Sequence, residues 1–201
     1  MEFGLDRTLG LEILVFGLGN PGERFRMTRH NAGFMAVDAV CAAAAISLKK
    51  PWFRPYSFGS GRSEGLPIHA AKPLTFMNRS GTVLPHILSR LGLGVENLLV
   101  VCDSLDLPAG ALRLKTKGGS AGQKGLKSII AVLGTENFMR IYIGVGRPPA
   151  GSSVISHVLG LPGGEEAAAI AGAARKAAEA ALRLVKSPAE GVMNEFNTRQ
   201  G

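Results

Sequence analysis

The sequence predicts a single α/β domain with a twisted mixed, largely parallel sheet flanked by helices. Three observations lead there. Short apolar runs closed by glycine or polar residues recur along the chain, the clearest being 98–102 (LLVVC); such runs, apolar without alternation, are strands buried on both faces. Stretches of helical composition separate them, and strands alternating with helices build parallel or mixed sheets. The chain has 201 residues, the size of one domain with a real core, and no repeat or linker divides it.

Taken in order, residues 12–17 (EILVFG) form the first strand. Residues 32–48 have helical composition, with Phe34, Val37, Cys41, Ala45 and Leu48 near one face. A strand follows at 66–71, then a helix over 80–91 that contains Pro85, then the strand at 98–102. Further along come a strand near 111–116, a helix near 124–133 and a strand at 140–145. The alanine-rich segment 164–186 is a long helix, with Glu165 and Glu166 at its start and Arg183 and Lys186 at its end, as the helix dipole favours. Its apolar stripe is Ile170, Ala174, Ala178, Ala181, Leu182 and Val185. Pro188 resets the chain before a last short helix.

Residues 1–11 are expected to be a short flexible extension, and 12–201 the single domain. The opening MEFGLDRTLGL carries Glu2 and Asp6 and lacks the apolar centre of a secretory leader. No apolar run reaches the roughly 18–20 residues that span a bilayer, so no membrane partner is expected. Cys41 and Cys102 stand far apart in apolar segments, with no C-x-x-C. That spacing indicates neither a zinc site nor a redox dithiol, and reduced thiols fit a cytoplasmic protein.

Charge points to a partner. The formal net charge is +8, and it is concentrated. Arg113, Lys115, Lys117, Lys124 and Lys127 fall between Leu107 and Thr135 with no acid among them; Lys49, Lys50, Arg54 and Arg62 fall in a second acid-free stretch, 39–63. Concentrations of this kind meet phosphate-rich ligands or form a solvated basic surface.

Gly17-Leu18-Gly19-Asn20-Pro21-Gly22 spells G-x-G-x-x-G behind a strand. A dinucleotide cradle needs a helix opening inside the glycines. Pro21 and the charged ERFRMTRHN segment delay the helix to near Asn31–Gly33, so the cradle fails. KGGSAGQKGL at 117–126 lacks the G-K-[ST] of a phosphate loop and remains a flexible glycine loop flanked by cations. His30 beside Asn31, Asn78 after Phe76 and Met77, and Asp103 with Asp106 after the buried strand are the polar groups at strand ends and turns. Ligands of α/β proteins bind at the carboxyl ends of strands. A histidine oriented by a carboxylate abstracts a proton from water near neutral pH, and asparagine amides hold a carbonyl or its oxyanion. Singly, each of these residues also reads as a turn or cap residue. His69, His86 and His157 lack metal-ligand spacing, and no metal or cofactor is expected.

GLGNPGERFRMTRHNAG, KPLTFMNRSG, DSLDLPAGALRLK, GGSAGQKGLKSI, RIYIGVGRP and HVLG resemble, in order and spacing, the bacterial-type peptidyl-tRNA hydrolase family, from about Ile13 to Asn197. The resemblance implies an ester hydrolase that frees tRNA from peptidyl-tRNA, acting as a cytoplasmic monomer without a cofactor. It implies that His30 activates water, that Asp103 orients His30, and that Asn20 distinguishes peptidyl from aminoacyl esters. Asn78 would bind the peptide backbone, Phe76 and Met77 would line the cleft, and Asn31 joins the substrate-binding set. Phe25 stands where the family has tyrosine beside the tRNA end, and Lys115 matches a cation near phosphate. Two departures stand out. Gln123-Lys124 replaces the family's His-Asn, and Tyr142 falls where an arginine helps grip phosphate, with Arg140 and Arg147 nearby. Gln123 is expected to take over part of the missing asparagine's role toward water, and Lys124 to contact phosphate. The same departures fit a second reading, a catalytically weak RNA-binding relative.

Overall fold

The computed structural model describes residues 11–197. The first apolar run becomes β1 (Ile13–Gly17), buried at every position. Around it lie β2 (Tyr56–Ser63), β3 (Leu66–Pro73), β4 (Leu98–Ser104), β5 (Leu112–Lys115) and β6 (Met139–Gly144). They form one sheet in the order β2-β3-β1-β4-β6-β5. The four inner strands are mutually parallel, and β2 and β5 close the two edges antiparallel. The sheet is therefore mixed and largely parallel.

Side-chain alternation sends successive residues of each inner strand to opposite faces. Ile13, Val15, Leu99 and Val101 join one core with α1 (Ala32–Ala43), α5 (Gly164–Leu184) and α6 (Ala189–Phe196). Leu14, Phe16, Leu98, Val100 and Cys102 join the other with α2 (Leu84–Leu91) and α3 (Lys124–Leu133). The runs read as apolar without alternation because both faces are covered.

The opening glycines have a packing role. A Cβ on Gly17 would run into Gly33 O, and one on Gly33 would run into Val101 O and both Leu18 backbone polar atoms. These two glycines let α1 lie against β1 and β4 at backbone distance. Gly22, at φ 107, takes a turn conformation that side chains disfavour. Between it and α1 come two short 3-10 turns, Glu23–Phe25 and Arg29–Asn31.

Four details differ from the sequence reading. The helix expected over 32–48 stops at Ala43, where Ala45 turns left-handed (φ 51) and Ile46 N–H bonds Cys41 O at 2.8 Å. The helix expected from residue 80 is a 3-10 segment, Met77–Val83, before α2 begins, so Pro85 sits in the first turn of α2, where its missing N–H costs nothing. The edge strand β2 and the short helix α4 (Val154–Leu159) have no counterpart in the sequence reading. Of the expected 1–11 extension, residues 1–10 lie outside the described residues; Leu11 N–H bonds Val185 O at 2.7 Å.

Candidate active site

β4 ends by delivering Asp103 to the carboxyl edge of the sheet, only 3% exposed. The 3-10 turn before α1 brings His30 to it, with Nδ1 2.8 Å from Asp103 Oδ2. The other carboxylate oxygen, Oδ1, accepts from Gln123 Nε2 at 2.9 Å. Gln123 is the N-cap of α3: its Oε1 accepts from the Gly125 and Leu126 N–H groups. One amide thus caps a helix and holds the carboxylate that holds the imidazole.

Asn20 is fixed just as tightly. Its Oδ1 accepts from Met77 N–H at 2.9 Å. Its backbone is gripped by the Asn31 side chain, through Asn20 N–H to Oδ1 at 2.8 Å and Asn31 Nδ2 to Asn20 O at 3.0 Å. Asn20 Nδ2 has no protein partner among the described residues, and Asn20 lines the cleft. Asn31 is buried and commits both ends of its amide to this support, so it stands behind the site rather than in the substrate-binding wall.

These groups line a cleft of about 610 Å³, with Phe76, Met77 and Asn78 on one side and Gln123 and Lys124 on another. The third wall comes from α4, which turns Val154, Ile155 and Leu159 toward it. Arg29, next to His30, ties that wall down. Its guanidinium makes two 2.6 Å bonds to Glu166 near the start of α5, and Nη1 donates to His157 O and Leu161 O at 3.1 and 3.3 Å. The bond to Arg29 holds the Glu166 carboxyl below its ordinary pKa.

The remaining sequence candidates scatter. Phe25 sits half-buried in its 3-10 turn with the Arg24 guanidinium 4.5 Å above its ring, and it does not line the cleft. Lys115 is exposed at the end of β5, opposite Arg140, three residues down β6 from the partner of Asp103. It lies on the sheet edge below the cleft. Arg140 is buried, its guanidinium donating to the carbonyls of Gly118, Gly119 and Glu136; it braces the glycine loop. Arg147 pairs with Asp106 at the rim. Among the described residues, Lys115, Lys117, Lys124 and Lys127 make no ion pair with an acid, and they remain available to phosphate.

His69 bonds Ser60 and Glu12, His157 faces the carbonyls of Val145 and Gly146, and the His86 ring lies 6.1 Å from that of Tyr56, so none of them joins His30. Burial, reinforced by Asp103, pushes the Cys102 thiol well up, so no thiolate stands beside the site. No cluster of three His, Cys, Asp or Glu residues among the described residues is placed to hold a metal ion. Sequence reasoning missed Gln123 as the partner of Asp103 and Arg29 as the tie to α4; the N-cap position before an apolar helix was the available signal for the first.

A histidine held by a carboxylate in a cleft at the carboxyl ends of parallel strands is an arrangement that suits a hydrolase. Comparisons with known proteins give the family. The peptidyl-tRNA hydrolase family model matches residues 14–201. A peptidyl-tRNA hydrolase from Halalkalibacterium halodurans is 47% identical over 184 residues, covering 92% of this chain and 99% of the relative. One from Bacillus subtilis is 42% identical over 187 residues, covering 93% and 99%. Among solved structures, peptidyl-tRNA hydrolase from Acinetobacter baumannii superposes with TM-score 0.89 at 34% identity, covering 96% and 97%. The chain belongs to the peptidyl-tRNA hydrolase family.

Proposed function

We propose that this chain hydrolyses the ester between the carboxyl end of a peptide and the terminal ribose of tRNA, with His30 as general base. The observation that carries the reading is the 2.8 Å contact between His30 Nδ1 and Asp103 Oδ2. A carboxylate accepting from Nδ1–H selects the tautomer whose Nε2 is free to take a proton. Nε2 removes a proton from water as the water oxygen attacks the ester carbonyl carbon. Asp103 stabilises the imidazolium that results. When the tetrahedral intermediate collapses, the bond to the ribose oxygen breaks, and the proton on Nε2 passes to that oxygen. The free Nδ2 of Asn20 is a donor for the carbonyl side of the ester, and Asn78 for the peptide backbone.

Lys115, Lys117, Lys124 and Lys127 take tRNA phosphates along the α3–β5 edge, and Phe25 and Phe76 offer ring faces to the acceptor end and the peptide. The chain works in the cytoplasm, as a monomer, on peptidyl-tRNA. The RNA-binding reading without turnover is not favoured: Gln123, whose departure from the family pattern suggests it, braces the catalytic pair. The test is His30→Ala. Turnover of peptidyl-tRNA should fall by roughly 10²–10⁴-fold, with thermal stability and tRNA affinity kept. Wild-type turnover in the folded variant refutes the assignment.

A further inference from the structure

We infer that the Trp52–Phe53 turn is a contact for the peptide part of the substrate, several residues away from the ester; this rests on the hydrolase reading above. The turn is costly. Trp52 and Phe53 are 86% and 94% exposed, their rings edge-on at 5.7 Å. Arg54 N–H closes the turn on Pro51 O at 3.2 Å, and Phe53 holds φ 58, the position where turns of this kind prefer glycine. A bulky aromatic there is strained, and no core packing offsets the strain. Exposed side chains that cost stability mark a surface kept for a partner.

The turn lies at the same end of the sheet as the cleft. Residues 47–50 climb the outer edge of β2, with Lys49 and Phe58 exchanging two 2.9 Å backbone bonds. β2 then descends antiparallel to β3, so its first residue, Tyr56, meets Pro73 where β3 ends. Leu74 N–H bonds Pro55 O at 2.7 Å, joining the turn to the segment that leads into Phe76, Met77 and Asn78. Phe76, 61% exposed, stands between. From β4 to β2 is three strand spacings, about 15 Å, which four or five extended residues span.

The direction selects the occupant. Lys115 at the end of β5 and Lys117 just after it lie at the opposite edge of the sheet, so the RNA leaves the ester on that side and the peptide leaves toward β2. Aromatic faces accept a chain of any sequence. Lys49, Lys50 and Arg54 make no ion pair among the described residues and bias the contact toward acidic side chains.

The test compares two substrates, a tRNA ester of one N-acylated residue and a tRNA ester of a six-residue peptide. It uses Trp52→Ala and Phe53→Gly. The second relieves the left-handed strain, so its stability should rise and misfolding cannot explain a defect. Both variants should raise KM for the six-residue substrate, about fivefold to tenfold for loss of an aromatic contact. They should leave kcat, the one-residue substrate and the affinity for deacylated tRNA unchanged. Arg54→Glu should invert the preference between acidic and basic side chains at the fourth and fifth residues. Equal effects on both substrates, weaker binding of deacylated tRNA, or a change in self-association overturns the proposal. Failure of the wild-type chain to turn over either substrate overturns the hydrolase reading instead.

Discussion

Replacing Gln123 by glutamate changes one donor and almost no volume, and the geometry around it fixes the consequence. The carboxylate oxygen in place of Oε1 still accepts from Gly125 and Leu126 N–H, so the cap on α3 survives. The other oxygen replaces Nε2, which stands 2.9 Å from Asp103 Oδ1 as a donor, and turns an attraction into a repulsion. A hydrogen bond to a charged partner is worth about 1.5–3 kcal/mol. If water from the open cleft recovers half of that, about 0.8–1.5 kcal/mol of support for the His30–Asp103 pair is lost. That corresponds to a fall in kcat of about 4- to 12-fold, and repulsion deepens it. Gln123→Ala removes the cap as well and should cost about 1 kcal/mol of stability, a melting shift of roughly 2–4 °C at this chain length. The assay is single-turnover hydrolysis of peptidyl-tRNA beside thermal melting of each variant. Wild-type kcat in Gln123→Glu would refute the claim that Gln123 acts through Asp103.

Lys124 occupies the first position of α3, where the dipole disfavours a cation. Lys124→Ala should therefore leave stability unchanged or slightly raised while weakening tRNA binding and flattening its dependence on salt, as a titration across ionic strengths would report; Lys115→Ala should do the same to binding. Gly33→Ala should cost about 1–3 kcal/mol through overpacking, because its Cβ meets backbone atoms of Val101 and Leu18 that cannot step aside; chemical denaturation measures it. The Glu166 carboxyl, lowered by Arg29, contributes stability above its unfolded pKa that is lost as pH falls through its folded value. Glu166→Gln should remove that part of the acid limb of the melting profile.

The inner strands are readable in the sequence because each is buried on both faces and so is apolar at every step. β2 is not. Its sequence YSFGSGRS belongs to a half-exposed edge rich in glycine and serine, and its pairing with β3 involves no apolar run of its own. The early end of α1 is hidden because alanines 42–45 carry no stop signal; the left-handed step at Ala45 is imposed by the return of the chain toward β2. His30, Asp103 and Asn20 can be picked out by type and position at strand ends. The bonds that give them their geometry join residues far apart in sequence, as Gln123 to Asp103 and Asn20 to Met77 do. The family pattern points Gln123 toward water, in the manner of the missing asparagine. Its longer side chain instead folds back onto its own helix and reaches the carboxylate and the Met77 sulfur, leaving its amide no free lone pair or proton for solvent. Asn31, next to His30, reads as part of the same surface, but the turn into α1 rotates it inward.

Arg29 ties the α4 wall of the cleft to the turn that carries His30. The residue that clamps the end of α4 and the start of α5 is the chain neighbour of His30. The end of α4, the start of α5 and the turn before α1 thus share one guanidinium as a common anchor. A change at Glu166 or at the α4 carbonyls therefore reaches the turn that carries His30 through one side chain, although Arg29 and Glu166 are 137 positions apart in sequence.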